Sequence, residues 1–203
     1  MFKEIIRRAG ENWRAYKFRN HTNSFREAFK AVAGGACICL GTYAMRMCPY
    51  PEIAPLLFAV GILMVMAFDF HLITRFVPTH RFFGVPANFW VGFIVLAANL
   101  ITAYLVGLLV DFSPTPPDNL FWQSVLGGMV IGLVSVNNIF PSQYKVLIAA
   151  LLMYAFIILG LPHCVVYAFY NADFPTLLIV VAGNLVGGAI LGSVFKILGV
   201  KYN

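Results

Sequence analysis

The charged residues of this chain fall almost entirely in the gaps between long apolar runs, and that spacing limits what it can fold into. Six runs stand out, over 29–47, 53–68, 87–110, 121–136, 144–159 and 175–198. A helix needs about 20 predominantly apolar residues to cross a bilayer. Six such spans with short connections consume nearly all of the 203 residues, so no separate soluble domain fits. Only 11% of the residues are charged, against about a quarter in soluble domains, and a buried core alone does not explain so large a deficit. The expected architecture is an all-α membrane protein of six transmembrane helices over 28–203. A basic amphipathic segment over 1–27 precedes it, suited to lying on the membrane surface.

The basic residues set the orientation. Lys3, Arg7, Arg8, Arg14, Lys17, Arg19, Arg26 and Lys30 precede the first run, Arg75 and Arg81 separate the second from the third, Lys145 the fourth from the fifth, and Lys196 and Lys201 close the chain. With both termini cytoplasmic, all of these lie on the inner side, as the excess of Lys and Arg on cytoplasmic loops requires. Arg46 is the exception. Glu52, Asp111, Asp118 and Asp173 fall on the outer side. The first thirty residues are basic and polar, so no cleavable signal peptide is expected. The acidic Glu4, Glu11 and Glu27 dilute the basic tail, which argues against a nucleic-acid arm.

The two halves of the chain resemble each other. AVAGGACICLG over 31–41 in the first run corresponds to SVLGGMVIGLV over 124–134 in the fourth, and AANLITAYLVG over 97–107 in the third to AGNLVGGAILG over 182–192 in the sixth. The middle run of each half is the interrupted one. Three spans per half is odd, so the second half must insert upside down relative to the first. Such an inverted 3+3 repeat places a binding or permeation site at its broken second and fifth helices. The small residues of these segments, among them Gly34, Gly35, Gly127, Gly128, Gly183, Gly187 and Gly188, let helix backbones approach closely.

His163 is the most informative polar residue, following Gly160, Leu161 and Pro162 deep in an apolar run. Non-helical backbone at membrane depth is tolerated only where protein buries it or water reaches it. A histidine there either donates a hydrogen bond or proton to a passing solute, or bonds a neighbouring carbonyl as a structural residue. The other interruption carries Asp69, His71, Leu72, Thr74 and Arg75. Polar groups at membrane depth are functional candidates, whereas at the cytoplasmic interface they are ordinary, and both readings stand for Asp69 and His71. Asn99 and Asn184 occupy equivalent places in the third and sixth runs and are expected to clamp the interruptions open. Tyr104, Tyr154, Tyr167 and Tyr170 read as packing or interface residues. Cys37, Cys39, Cys48 and Cys164 have no metal-ligand or redox spacing and read as small apolar residues. No catalytic arrangement or phosphate loop is present, so neither an enzyme, a metal nor a cofactor is expected.

Residues 26–199 resemble the formate/nitrite transporter family. AVAGGACICLG is similar to its first-span AGxxIGLG segment, and Leu72-Ile73-Thr74 to the Leu-Phe-Thr of its second-span break. Gly160-Leu161-Pro162-His163-Cys164-Val165 resembles its fifth-span Gly-Phe-Glu-His-Ser-Val element, and Gly183-Asn184-Leu185-Val186-Gly187-Gly188 its sixth-span GN(I/L)(I/V)GG. The resemblance implies an aquaporin-like six-helix protomer in a homopentamer of the cell inner membrane, each protomer with its own pore for a small monovalent anion such as formate or nitrite. It implies that His163 is the central pore histidine and that Thr74 faces it, with Leu72, Asn99, Asn184, Asp69 and His71 as the accompanying candidates. The chain departs from the family at Arg75 and Phe76, where Thr-Gly-Asn is usual, at Pro162 in place of glutamate, at Tyr167 in place of asparagine, and in a loop over 111–119 that holds Asp111 and Asp118 but no lysine. A channel for a small neutral solute, or a membrane scaffold subunit, are the other functions such a sequence allows.

Overall fold

The computed structural model describes residues 24–79, 86–113, 115–135 and 142–198. These form eight helices: α1 (Ser24–Met47), α2 (Ala54–Ala67), α3 (Ile73–Thr79), α4 (Pro86–Gly107), α5 (Leu120–Ser135), α6 (Lys145–Ile158), α7 (Cys164–Phe169) and α8 (Phe174–Ile197), with a 3-10 turn at Ser142–Tyr144. No strand occurs among the described residues. Among the described residues, three helices are long and apolar enough to cross a membrane, over Phe25–Met47, Trp90–Gly107 and Phe174–Ile197. The tail ahead of residue 24, His80, Arg81, most of the expected turn over 137–142, and Lys201 lie outside the described residues.

Local sequence explains where the helices begin and end. Pro49 and Pro51 follow α1, Pro55 stands in the first turn of α2 and Pro175 in that of α8, where a missing N–H is harmless. Asp173 caps α8 by accepting a hydrogen bond from the Thr176 N–H at 3.2 Å. The hydrogen bonds from Thr176 hold the Asp173 carboxyl below the usual carboxylate range. The helices α2 and α6, at 14 residues each, span only about 21 Å, less than the ~30 Å hydrocarbon layer. Each stops at a left-handed residue, Asp69 after α2 (φ 52°) and Gly160 after α6 (φ 62°), before a short helix resumes. Phe70 N–H bonds Val65 O at 2.9 Å across the first stop, and Leu161 N–H bonds Phe156 O at 3.1 Å across the second.

The two halves interlock. Within each, the first helix packs on the third, α1 on α4 and α5 on α8. The short helices then cross over, with α3 lying on α8 of the other half and α7 on α4. The first helix of each half must come very close to the break. A Cβ on Gly34 would overlap the His71 carbonyl oxygen, and one on Gly127 would lie 2.6 Å from the Pro162 carbonyl oxygen.

The exterior is apolar as well as the core, unlike that of a water-soluble bundle. The polar side chains of Thr42, Thr74, Asn99, Ser124, His163 and Asn184 are buried, while Leu40, Ile101, Leu109, Leu151, Ile158 and Ile197 are exposed. The first helix begins at Ser24, five residues before the expected start at 29. Its added turn carries Glu27, which pairs with His71 from the first break, a long-range contact that hydropathy does not register.

Candidate functional site

The two asparagines organise both breaks by the same hydrogen bonds. Asn99 Oδ1 accepts from the Ile73 N–H at 2.8 Å, while its Nδ2 donates to Ala31 O at 2.6 Å and to His71 O at 3.0 Å. Asn184 Oδ1 accepts from the Cys164 N–H at 2.8 Å, and its Nδ2 donates to Ser124 O at 2.7 Å and to Pro162 O at 3.0 Å. In both halves one amide from the third helix therefore bonds a carbonyl within the break, two residues ahead of the short helix, the first N–H of the short helix, and the first helix. An interrupted helix leaves donors and acceptors without intrahelical partners, and a buried one left unsatisfied costs about 1–3 kcal/mol. The asparagines stand where they relieve that cost.

The breaks bring His163 and Thr74 together. His163 precedes α7 in extended conformation (φ −123°, ψ 127°) and is 1% exposed. Its Nε2 lies 3.2 Å from Thr74 Oγ1, in the first turn of α3. The threonine hydroxyl can donate or accept there, so it suits either tautomer of the ring. The other ring nitrogen, Nδ1, is buried with no hydrogen-bond partner among the described residues. Phe156 meets the imidazole edge-on, with ring centroids 6.3 Å apart, and stacks in turn on Phe58. Leu72 is buried immediately ahead of α3, at the place in the first break that His163 occupies in the second.

Asp69 and His71 are engaged elsewhere. The Asp69 carboxylate receives Lys30 Nζ at 3.0 Å and faces Arg75 Nη1 at 3.5 Å, and its side chain is largely exposed. His71 pairs with Glu27 through Nε2. These two residues fasten the first break to the start of α1 and do not join the His163–Thr74 pair. Among the expected packing residues, Tyr167 is buried and Tyr154 donates to Glu52 O at 3.1 Å. Sequence alone did not single out Phe156, whose contact with His163 depends on the fold of the break. No group of three metal-ligating side chains converges among the described residues.

Two of the solved structures that share this fold are channels. One is a pentameric formate channel with formate bound (TM-score 0.64, 15% identity, covering 89% of this chain and 99% of that one). The other is an ion channel of the FNT, or formate/nitrite transporter, family (TM-score 0.68, 16% identity, covering 93% and 94%). No protein-family model and no curated protein sequence matches the chain. At these identities the likeness establishes the helical fold, whose long helices are apolar enough to cross a membrane.

Proposed function

We propose, for a chain with the fold of the formate/nitrite transporter channels, that it conducts small monovalent weak-acid anions, with formate and nitrite as the type solutes, and that passage is linked to a proton through His163. The observation that carries the proposal is the state of the buried imidazole. One nitrogen is engaged by Thr74 and the other has no partner among the described residues. A buried polar atom left in that condition calls for an explanation, and a passing solute supplies one.

A bare anion is costly to bring into low dielectric, the idealised penalty being of order 20 kcal/mol for a carboxylate-sized ion. A weak acid avoids that cost by crossing as the neutral species. In the proposed cycle the anion arrives from one side together with a proton. The imidazole hydrogen-bonds the solute, takes up that proton from the aqueous side and passes it to the solute's oxygen, returning to the neutral ring. The neutral acid crosses the apolar constriction and releases its proton beyond. Thr74 orients the ring, while Asn99 and Asn184 hold the breaks.

The protomer is read as six membrane crossings, α2–α3 and α6–α7 each forming one broken crossing. The halves form an inverted repeat, both termini are cytoplasmic, and residues 1–27 lie at the inner surface. The recurrence of the asparagine bonds supports the repeat, and the pentameric formate channel that shares the fold supports a homopentamer.

Uptake of labelled formate into proteoliposomes at two external pH values tests the reading. Uptake should rise as external pH falls. The His163→Phe variant should lower the rate by about a hundredfold, the lower end of the range for a positioned proton donor, and flatten the pH profile. An unchanged profile in that variant would sink the proton link. Uptake of an uncharged solute without pH dependence would replace the anion reading with a neutral-solute channel.

A further inference from the structure

Arg46 breaks the charge rule that every other basic residue in the sequence obeys, and its surroundings give the exception a use. It lies in the last turn of α1, at the end of the bundle that also carries Glu52, Asp111, Asp118 and Asp173. Its guanidinium carbon sits 5.3 Å from the centre of the Phe112 ring and 5.6 Å from that of Tyr170. Rings at that distance attract a cation through their negative faces. Arg46 is exposed, and among the described residues it forms no ion pair. Tyr170 ends the short helix α7, whose other end is His163, about 10 Å away at the rise of a helix. Phe112 packs on Phe169 of the same helix, with centroids 6.1 Å apart.

The geometry points to Arg46 as the docking residue for the anion at the outer mouth, an inference that rests on the anion-channel reading above. An arginine fork matches a planar carboxylate with two parallel hydrogen bonds, and guanidinium is more weakly hydrated than ammonium, so it gives up water readily. The rings position the group, and among the described residues its N–H donors have no acceptor. The four carboxylates at this end repel anions, and a fixed cation beside α7 creates one local site where an anion is attracted. The ligand class is a small monovalent carboxylate or an isosteric planar anion. From Arg46 it has the length of one short helix to travel to reach His163.

The test is the dependence of initial formate uptake on formate concentration, using the full chain in proteoliposomes at low and high sodium chloride. Wild type, Arg46→Gln, Arg46→Lys and His163→Phe are compared. Arg46→Gln should raise the half-saturating concentration by about tenfold at low ionic strength, the lower end of the range for electrostatic focusing. Its maximal rate should stay near that of wild type. The difference should vanish near 1 M salt, where the screening length falls to about 3 Å. Arg46→Lys keeps the charge but not the fork and should fall between. An Arg46→Gln curve identical to wild type, with uptake still dependent on His163, overturns this proposal and leaves the channel reading intact. A lower maximal rate that salt does not alter overturns it too, and assigns Arg46 to lipid headgroup anchoring or packing. No wild-type uptake above empty liposomes removes the anion reading and the docking site with it.

Discussion

Asn184 satisfies three backbone groups at once, so its truncation has a definite cost. Asn184→Ala leaves the Cys164 N–H and the Ser124 and Pro162 carbonyls without that partner. The Ser124 carbonyl lies inside α5 and keeps its helical bond, so two groups are stranded, and at about 1–3 kcal/mol for each the variant should lose at least about 2 kcal/mol. Asn99→Ala should lose a comparable amount, because its three bonds are the same in kind. Thermal unfolding in detergent measures both, and a melting temperature equal to wild type in either variant would refute the clamp. The asparagines were legible in the sequence because each lies at the same place in a recurring segment. Asp69 and His71 were not, since their position in the first break suited either a pore or an interface. The deciding facts are Lys30 and Glu27, some forty residues earlier in the chain. Local hydropathy carries no trace of such pairings.

At the scale of the helix, close approach limits what α5 tolerates. Gly127→Ala places a methyl group 2.6 Å from the Pro162 carbonyl oxygen, so α5 and the second break must separate. Asn184 bonds both elements, and its geometry would be disturbed together with that of His163. Overpacking of this kind costs about 1–3 kcal/mol, and uptake should fall with stability. Normal uptake and stability in Gly127→Ala would show that the break can yield. The start of α8 gives a prediction in pH. The Asp173 carboxyl is held below its ordinary value of 3.8 by Thr176. It therefore contributes stability above that pH and loses the contribution as pH falls through the lower, folded-state value. Asp173→Ala should melt below wild type at pH 7, and the gap should close in acid. A gap independent of pH would mean that the cap does not act through its charge. Helix positions were legible from apolar run length, bounded by prolines and by Asp69 and Gly160. The early start of α1 was not, because its first turn serves a distant break.

Across the whole molecule, the orientation has a test that uses native residues. Cys48 lies between α1 and α2 and is half-buried, whereas Cys37, Cys39 and Cys164 are buried. With both termini cytoplasmic, a membrane-impermeant thiol reagent added to intact cells should label Cys48 and spare the other three. Labelling of Cys48 only after permeabilisation would reverse the topology.

The crossing of the short helices also constrains how the protein can be made. The main packing surface for α3 is α8, which is synthesised well after it. Until α8 arrives, the first break has Asn99 to hold its backbone and α4 and α5 beside α3, but α3 lacks its main packing surface, and until the second break is made Thr74 waits in the membrane without His163. Chains normally fold from the N-terminus as synthesis proceeds, yet this one cannot complete its first half before its second is inserted. A nonsense mutation anywhere before α8 should therefore leave both halves unfinished. Quality control in the membrane would meet an intermediate with polar groups exposed at its centre for as long as translation lasts.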